Sequence, residues 1–394
     1  MVGHAVGVGK PAPSRAAVEL MRVLHLVATG QRRGAEIFAS DLVGALDDAG
    51  VDQQVAVLRA PDGLTVPFRA PTTVLGADGP RLPGVRVGLP GVRGLRRLIR
   101  DWDPDVVQAH GGEALKHAVL AAARTRCRVV YRRIGSTPAS IAQGPRRVVY
   151  GQLMRQAARV VAVAEAVRQE TLEVFRLPGR HVVTIPNAVD ARRLEPTRDR
   201  TAVRRSLGIP DDAEVILSLG ALTWEKDPLV QVEVAARALD ERDRAWHLVV
   251  GGGPLHDQVE AAVARHGNGD RVRLTGVRDD VADILQASDV LLFASRAGGM
   301  EGMPATMIEA GMAGLPVAGY AVAGVSEVVI EGVTGLLART GDVVALADHV
   351  VTLLADAGRR REMRGAARAF CRTRFEIGAV TPCYLRLYQD LSAA

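Results

Sequence analysis

Two glutamates near residue 300 have the type and spacing needed to bind hydroxyl groups, and they flank a stretch that suits a phosphate. Glu301 lies in a glycine-rich turn, and Glu309 follows eight positions later in a predicted helix whose first residue is Pro304. Proline suits that position because its missing N–H would have no partner within the helix. The N–H groups around Gly302 and Met303 can then bind an anion. A ligand that combines phosphate with sugar rings, such as a nucleotide sugar, fits this chemistry.

Two further side chains are candidates for the same chemistry. Lys226 follows the glycine turn at Gly220 and is one of only three lysines among 50 basic residues. Its compact ammonium binds phosphate as a point charge, so a lysine in an arginine-rich chain favours a function. His110 directly follows the strand-like run DVVQA, and the carboxyl ends of parallel strands face ligand sites. A single histidine is also often structural, so both interpretations of His110 stay open.

The bulk composition is that of a globular protein with two domains. The chain has 394 residues, of which 48% are hydrophobic and 24% charged. Three scattered cysteines without metal-like spacing favour a reducing cytoplasm and no disulfide framework. Residues 1–20 lack the apolar segment of a signal peptide and are expected to be a disordered leader. An aromatic content of 4% argues against nucleic-acid binding.

Two alternating series of strands and helices must position these residues. The first series contains the predicted strands RVLHLVATG, 54–58, 106–109, 128–132, 160–163 and 181–185. The second contains VILSLGAL, WHLVVGGG, RVRLTG, DVLLFAS and LPVAGY. Such alternation predicts an α/β protein with two Rossmann-like doubly wound sheets and a ligand cleft between them. We expect domains at residues 21–186 and 187–374, and a C-terminal helix at 375–394 that packs across them.

Two other stretches attract attention in the first half. Gly30 and Gly34 follow the first strand, where a backbone can approach a phosphate or sugar closely, although the dinucleotide pattern GxGxxG is absent. The segment Val87–Arg100 mixes arginines with apolar residues. It fits contact with an anionic membrane surface or an acidic acceptor, but an exposed helix with solvated arginines is the favoured interpretation.

Taken together and in order, the motifs resemble those of the family 4 retaining glycosyltransferases of the GT-B fold. The matching pieces cover nearly the whole chain from Arg22: GQRRGAE, DVVQAHG, VVAVAEAV, IPNAVD, LGALTWEKDP, VGGGP, ASDVLLFAS and EGMPATMIEAGMAGLPV. The spacing of Glu301 and Glu309 reproduces the family's E-x7-E signature. The resemblance implies a cytoplasmic enzyme, with peripheral contact at the inner face of the membrane as an option, that uses a UDP- or GDP-sugar as donor. The acceptor would be a glycan, a lipid-linked molecule or a small molecule. The resemblance implies no metal and no cofactor.

The resemblance also implies a role for each candidate residue. Glu309 would bind the ribose hydroxyls of the donor, and Glu301 the hydroxyls of the transferred sugar. Lys226 and the N–H groups around Gly302 would stabilise the diphosphate leaving group. His110 would contact the donor sugar. Gly30, Gly34 and Gly220 would lie in glycine loops that approach the donor or acceptor. Gly276 and Arg278 are candidates for contact with the base.

The chain departs from the family pattern in its phosphate loop. Ala221 stands where the family commonly has an arginine, so either Lys226 and the helix start suffice or Arg296 substitutes. Ala164 stands where a serine is often found. A nucleotide-sugar epimerase and a non-catalytic sugar-nucleotide-binding protein stay open as alternatives. A nicotinamide oxidoreductase is disfavoured because its glycine fingerprint is missing.

Overall fold

The structure is a computed structural model that describes residues 21–61, 63–78, 81–82 and 87–393. The leader predicted for residues 1–20 lies outside these residues. None of the described helices is both long and apolar enough to cross a bilayer.

Two parallel sheets contain most of the strands. The first has the order β3-β2-β1-β6-β7-β8-β9 and the second β12-β11-β10-β13-β14-β15, while β4 and β5 form a short antiparallel pair. The strands are β1 Arg22–Thr29, β2 Asp52–Arg59, β3 Thr72–Val74, β4 Arg81–Leu82, β5 Val87–Gly88, β6 Val106–His110, β7 Arg128–Arg133, β8 Arg159–Ala162, β9 Val182–Thr184, β10 Glu214–Leu219, β11 Ala245–Val250, β12 Val272–Leu274, β13 Val290–Phe293, β14 Val317–Tyr320 and β15 Gly335–Ala338.

Helices alternate with these strands along the chain. They are α1 Gly34–Asp48, α2 Leu89–Trp102, α3 Gly112–Ala122, α4 Ala139–Ala142, α5 Gly144–Gln156, α6 Glu165–Phe175, α7 Arg200–Ser206, α8 Pro228–Glu241, α9 His256–His266, α10 Val281–Ala287, α11 Ala305–Ala313, α12 Val343–Ala355, α13 Ala357–Phe375 and α14 Ile377–Ser392. Three of them, α7, α12 and α13, begin after an aspartate whose side chain accepts a backbone N–H, which satisfies a donor of the first turn.

The α/β prediction with two Rossmann-like sheets is confirmed, and each sheet has a point where its strand order reverses. The first strand of each series is central, with later strands added on one side and then on the other. The reversal lies between β1 and β6 in the first sheet and between β10 and β13 in the second. Ligands of open α/β sheets bind beyond the carboxyl ends of the strands at such reversals. The loops after these four strands are therefore the places to seek a site.

The chain divides into two compact units. The first contains the described residues up to 132, residues 153–160 and residues 378–393. The second contains residues 133–152 and 161–377. The core of the second unit is built from aliphatic residues of α8, α12, β13 and neighbouring strands, including Val234, Leu239, Leu292, Leu346 and Leu353. The boundaries at residues 186 and 374 stay a prediction.

The amphipathic segment Val87–Arg100 contributes its residues from Leu89 onwards to α2, and the apolar stripe of this helix is not available to a membrane. Val92, Leu95 and Ile99 are buried within the first unit. Arg93 and Arg97 are exposed on the opposite face. Only the arginine face of α2 could therefore meet an acidic surface.

Candidate active site

The loops after β10 and β13 bring together the phosphate-binding candidates of the second unit. These strands are paired in parallel, so both end at the same edge of the sheet. Gly220 and Ala221 follow β10 and line a pocket with Lys226 and Phe293. The Lys226 ammonium lies 5.4 Å from the centre of the Phe293 ring. Lys226 therefore lies where the sequence predicted, at the sheet edge where the strand order reverses.

Lys226 and Glu301 form an ion pair, which the sequence did not indicate. The lysine Nζ donates to Glu301 Oε1, and the hydroxyl of Ser295 donates to the same oxygen over 2.9 Å. The Glu301 side chain is only 11% exposed. An ammonium has three donors, so the pairing leaves Lys226 able to donate to a phosphate while Glu301 holds it in place.

Backbone contacts fix the two loops against each other. The Arg296 N–H donates to the carbonyl of Glu225 over 3.0 Å. A Cβ atom at Gly299 would lie 2.9 Å from that same carbonyl oxygen, so a glycine is needed there. This contact sets the separation of the segments that carry Lys226 and Glu301.

The start of α11 differs by one residue from the prediction. The helix begins at Ala305, and Pro304 is its N-cap, with ψ of 117°. The proline ring fixes φ alone, so its −65° fits a cap as well as a first turn. The Pro304 carbonyl accepts the N–H of Met307 over 3.2 Å. Within the described residues, the N–H groups of Ala305 and Thr306 have no backbone acceptor, as expected for a first turn.

Gly302 is required by close packing next to this helix start. It forms an antiparallel bridge with Gly135, and a Cβ atom at Gly302 would lie 2.4 Å from the carbonyl oxygen of Ile134. On the following residue, Met303, the carbonyl accepts from the buried Asn187 side chain over 3.0 Å. Asn187 belongs to the motif IPNAVD, and its contact explains why an amide suits that position.

Glu309 is buried on α11 and contacts an arginine that sequence reasoning missed. Its Oε1 lies 3.4 Å from Nη2 of Arg193, whose short 3-10 helix spans Ala191–Leu194. Glu309 is 7% exposed, and Arg193 shields one side of its carboxylate. The only sequence signal was the position of Arg193 a few residues after IPNAVD.

The arginines proposed from sequence as substitutes or base contacts both have acidic partners. Arg296 donates to Asp227 over 2.9 Å and lies 5.2 Å from the centre of the Trp224 ring. Arg278 makes two hydrogen bonds of 2.7 Å to Asp280. That contact lowers the pKa of the Asp280 carboxyl and raises that of the Arg278 guanidinium.

Glycines let the loops after β10 and β11 approach each other. The carbonyl oxygen of Gly220 lies where a Cβ atom of Gly251 would be, at 1.8 Å, and Gly251 has φ of +143°. The N–H of Gly251 in turn donates to the carbonyl of Gly276 over 2.8 Å. Gly276 therefore supports the glycine loops that carry Gly220.

Ala164 illustrates a compensation within the second unit. It caps α6 without a side-chain hydrogen bond. The carboxylate of Glu327 instead accepts the N–H groups of Glu165 and Ala166 over 3.0 and 3.1 Å. Glu327 thus does at this helix start what a serine hydroxyl at position 164 would do.

His110 ends β6 in the first unit and lies in a buried polar cluster. It is 1% exposed, its ring stacks on His25, and its Nε2 lies 3.2 Å from His25 Nδ1. Burial lowers the pKa of His110 well below its usual value, and the nearby His25 and Arg132 act in the same direction. His110 is therefore neutral near pH 7 and suits a hydrogen bond with a hydroxyl better than one with a phosphate.

The glycines after β1 have different local roles. The Gly30 carbonyl accepts from Thr65, and a Cβ atom on Gly30 would lie 2.8 Å from the Leu64 side chain. Gly34 begins α1, and apart from its own chain neighbours and the backbone of α1 no described atom lies within 4 Å of its Cβ position. Glu36 lies in the first turn of α1. It is buried, and its carboxylate accepts the N–H of Thr29, the last residue of β1, over 3.3 Å. Burial raises the pKa of Glu36 to about 7.

Two family models match successive parts of the chain. The model described as Glycosyltransferase Family 4 matches residues 32–193, and that described as Glycosyl transferases group 1 matches residues 199–370. Together they cover every strand of the two large sheets except β1, and every candidate residue after Gly30.

Known proteins agree with these matches. The chain is 30% identical to an N-acetyl-alpha-D-glucosaminyl L-malate synthase of Bacillus anthracis, over 59% of each chain. It is 29% identical to a D-inositol 3-phosphate glycosyltransferase of Xylanimonas cellulosilytica, over 94% of this chain and 91% of that one.

Among solved structures, the fold is similar to Anabaena Alr3699/HepE in complex with UDP-glucose. The TM-score is 0.79 and the sequence identity 21%, and the match covers 95% of this chain and all of the other. With the motifs and the two sheets, these similarities identify the fold as GT-B. The chain belongs to the family 4 glycosyltransferases, and it is a glycosyltransferase.

Proposed function

We propose that the protein transfers a sugar from a nucleoside-diphosphate sugar, a UDP- or GDP-sugar, to a small hydroxyl-bearing acceptor. The reaction would retain the anomeric configuration and need no metal ion. The observation that carries this proposal is the pair of Lys226 and Glu301 beside the start of α11. This arrangement brings a cation, a carboxylate and N–H groups that have no backbone acceptor among the described residues to the strand reversal of one sheet.

Each part of the donor has a group suited to it. Lys226 and the N–H groups of Ala305 and Thr306 would stabilise negative charge on the departing diphosphate. Glu301 would accept hydrogen bonds from hydroxyls of the transferred sugar, and Glu309, held by Arg193, from the ribose diol. His110 would contact the sugar. These groups supply the charge that a metal ion would otherwise provide, which supports metal independence.

The names of the relatives support a small acceptor. The two relatives above are named for L-malate and D-inositol 3-phosphate, which are both small and hydroxyl-bearing. A cytoplasmic location is part of the proposal and is supported by the free thiols of Cys127, Cys371 and Cys383.

A thermal-shift panel of UDP-, GDP-, ADP- and dTDP-sugars tests the donor. A donor present at 100 times its dissociation constant adds about 2.7 kcal/mol to the free energy of unfolding. We expect a UDP- or GDP-sugar to raise the melting temperature, and Lys226→Met to reduce that rise. The Lys116→Met variant is the matched control. It makes the same substitution at the other lysine that the structure describes, which lies in the first unit. Equal loss in both variants would contradict the phosphate role of Lys226.

Metal independence and stereochemistry have direct tests. Activity that persists in excess EDTA is expected, and a loss restored by Mg²⁺ or Mn²⁺ would contradict the proposal. Proton NMR of the first product formed should show the anomeric configuration of the donor. A product of inverted configuration would overturn the retaining assignment.

A further inference from the structure

Three buried side chains of the first unit form a chain of hydrogen bonds that ends at His110. His25 lies in the middle of β1, and its Nδ1 is 3.2 Å from His110 Nε2. On its other side, His25 Nε2 is 3.1 Å from Oε1 of Gln53 in β2. Exposure is 0% for His25, 5% for Gln53 and 1% for His110. Water is therefore excluded from each link.

The Gln53 amide determines which group donates and which accepts in each of these hydrogen bonds. Its Nε2 lies 3.0 Å from the carbonyl oxygen of Val43. A carbonyl can only accept, so the amide nitrogen must face it and Oε1 must face His25. This assignment rests on the hydrogen-bond network, as amide orientations do. His25 Nε2 therefore carries a proton and donates it to Gln53.

The tautomers of both histidines follow. Burial lowers the pKa of His25 to about 4, so His25 carries a single ring proton near pH 7. With that proton on Nε2, its Nδ1 is a bare acceptor. His110 Nε2 must then be the donor of the 3.2 Å contact. The neutral His110 ring consequently has no proton on Nδ1.

His110 Nδ1 is buried and, among the described residues, has no hydrogen-bond partner. The groups that face this ring are His25 from β1, Phe38 from α1 and Arg132 from β7. A buried acceptor without a partner is costly, and Nδ1 can be satisfied only by a group that donates a hydrogen bond. A phosphate oxygen cannot do so, whereas a sugar hydroxyl can.

We propose that His25 and Gln53 are positioning residues that hold His110 in the Nε2–H tautomer, so that Nδ1 accepts a hydrogen bond from a hydroxyl of the transferred sugar. The functional half of this inference rests on the proposed use of a nucleotide sugar. The tautomer itself depends only on the first unit. His110 thus selects a hydroxyl donor and takes no part in proton transfer.

The test begins with the wild-type protein and needs no ligand. Long-range proton–nitrogen NMR of protein labelled with ¹⁵N-histidine distinguishes the two neutral tautomers. The signals are assigned by comparison with His25→Asn and His110→Asn variants. We expect His25 and His110 both to carry the proton on Nε2 at pH 7. A proton on Nδ1 of His110, or a charged ring, overturns the proposal whatever the enzyme does.

Two variants of His25 separate positioning from structure. An asparagine oxygen can take the place of Nδ1 and still accept from His110, whereas a glutamine amide mainly reproduces the distant Nε2 and its bond to Gln53. We expect His25→Asn to keep the Nε2–H tautomer of His110 and most of the activity. We expect His25→Gln to lower kcat/KM at least tenfold relative to His25→Asn, at matched melting temperature.

UDP-glucose and GDP-mannose serve as probe donors, with nucleoside-diphosphate release as the readout. If His25→Gln and His25→Asn are equally active with the wild-type tautomer confirmed, the hydroxyl contact is wrong. If His25→Gln does not fold, Gln53→Leu replaces it, and we expect it to mix the His110 tautomers and lower kcat/KM likewise. An unchanged kcat/KM in that variant overturns the proposal. Absence of transfer by the wild type with every sugar nucleotide would refute the proposed function, while the NMR result still decides the tautomer.

Discussion

Replacing Glu36 by glutamine should make the protein more stable at alkaline pH than the wild type. The Glu36 carboxyl is 3% exposed, and its pKa is raised from 4.5 to about 7 by burial. Between these two values the folded state binds more protons than the unfolded state. Stability therefore falls as pH rises through this window. The Glu36→Gln variant keeps an oxygen that can accept the Thr29 N–H, and it cannot ionise.

The size of the effect follows from the shift. A rise of the pKa from 4.5 to about 7 corresponds to about 3 kcal/mol of unfolding free energy, at 1.36 kcal/mol per pH unit. Below pH 4.5 both states hold the proton, so the variant and the wild type should differ little in their pH response. Above pH 7.5 the unfolding free energy of the variant, relative to that of the wild type, should have risen by the full amount.

Urea unfolding at pH 4.5, 6 and 8, followed by circular dichroism, measures this difference. Glu113→Gln is the control of opposite sign, because a hydrogen bond from Arg59 lowers the pKa of Glu113. Its contribution is present at neutral pH and is lost as pH falls, so that variant should be destabilised at pH 8 and approach the wild type in acid. A Glu36→Gln difference that does not change with pH would refute the argument from burial.

Three further outcomes are expected. Lys226→Met should lower kcat by about 100-fold or more, because it removes a cation from the leaving group, and Lys226→Arg should restore only part, as measured by nucleoside-diphosphate release; full activity of Lys226→Met would be contradictory. Arg193→Gln should weaken donor binding about fivefold in calorimetry, or ~1 kcal/mol, since its 3.4 Å contact orients Glu309; unchanged affinity would exclude this role. Asn187→Leu should lower the unfolding free energy by about 1–3 kcal/mol, because the Met303 carbonyl loses its donor; wild-type stability in urea would count against it.

The sheets and most helices could be predicted from sequence because their signal is local. Largely apolar runs such as RVLHLVAT in β1 and EVILSL in β10 are typical of buried parallel strands. Four short strands were not predicted: β3 and β15, which lie at the edges of the two large sheets, and β4 and β5, which form the separate antiparallel pair. Edge strands of three or four residues depend on pairing with a neighbour, which no local pattern contains.

The positions of the candidate residues in the fold were predictable, but the side chains that contact them were not. Lys226 and Glu301 follow strands that flank a reversal of strand order, and His110 is the last residue of such a strand, as the strand-end motifs indicated. The Lys226–Glu301 pair joins residues 75 positions apart, and the contact of Arg193 with Glu309 spans 116. Such contacts depend on how strands and helices pack, so a sequence pattern cannot specify them.

The hydrogen bonds that link Gln53, His25 and His110 could not be predicted from sequence for the same reason. His25 is one apolar-flanked residue of a buried strand, and Gln53 looks like an ordinary polar residue of β2. Their alignment arises from the parallel register in which His25 is paired with Val55 on one side and Gln108 on the other. The sequence therefore identified His110, the last residue of this hydrogen-bond series, but not His25 and Gln53, which orient it.

The most direct test of the central claim is product analysis after incubation with a UDP- or GDP-sugar that stabilises the protein. Mass spectrometry with malate and an inositol phosphate as acceptors should detect a new glycoside in amounts equal to the nucleoside diphosphate released. Formation of an isomerised sugar nucleotide without any glycoside would contradict glycosyl transfer.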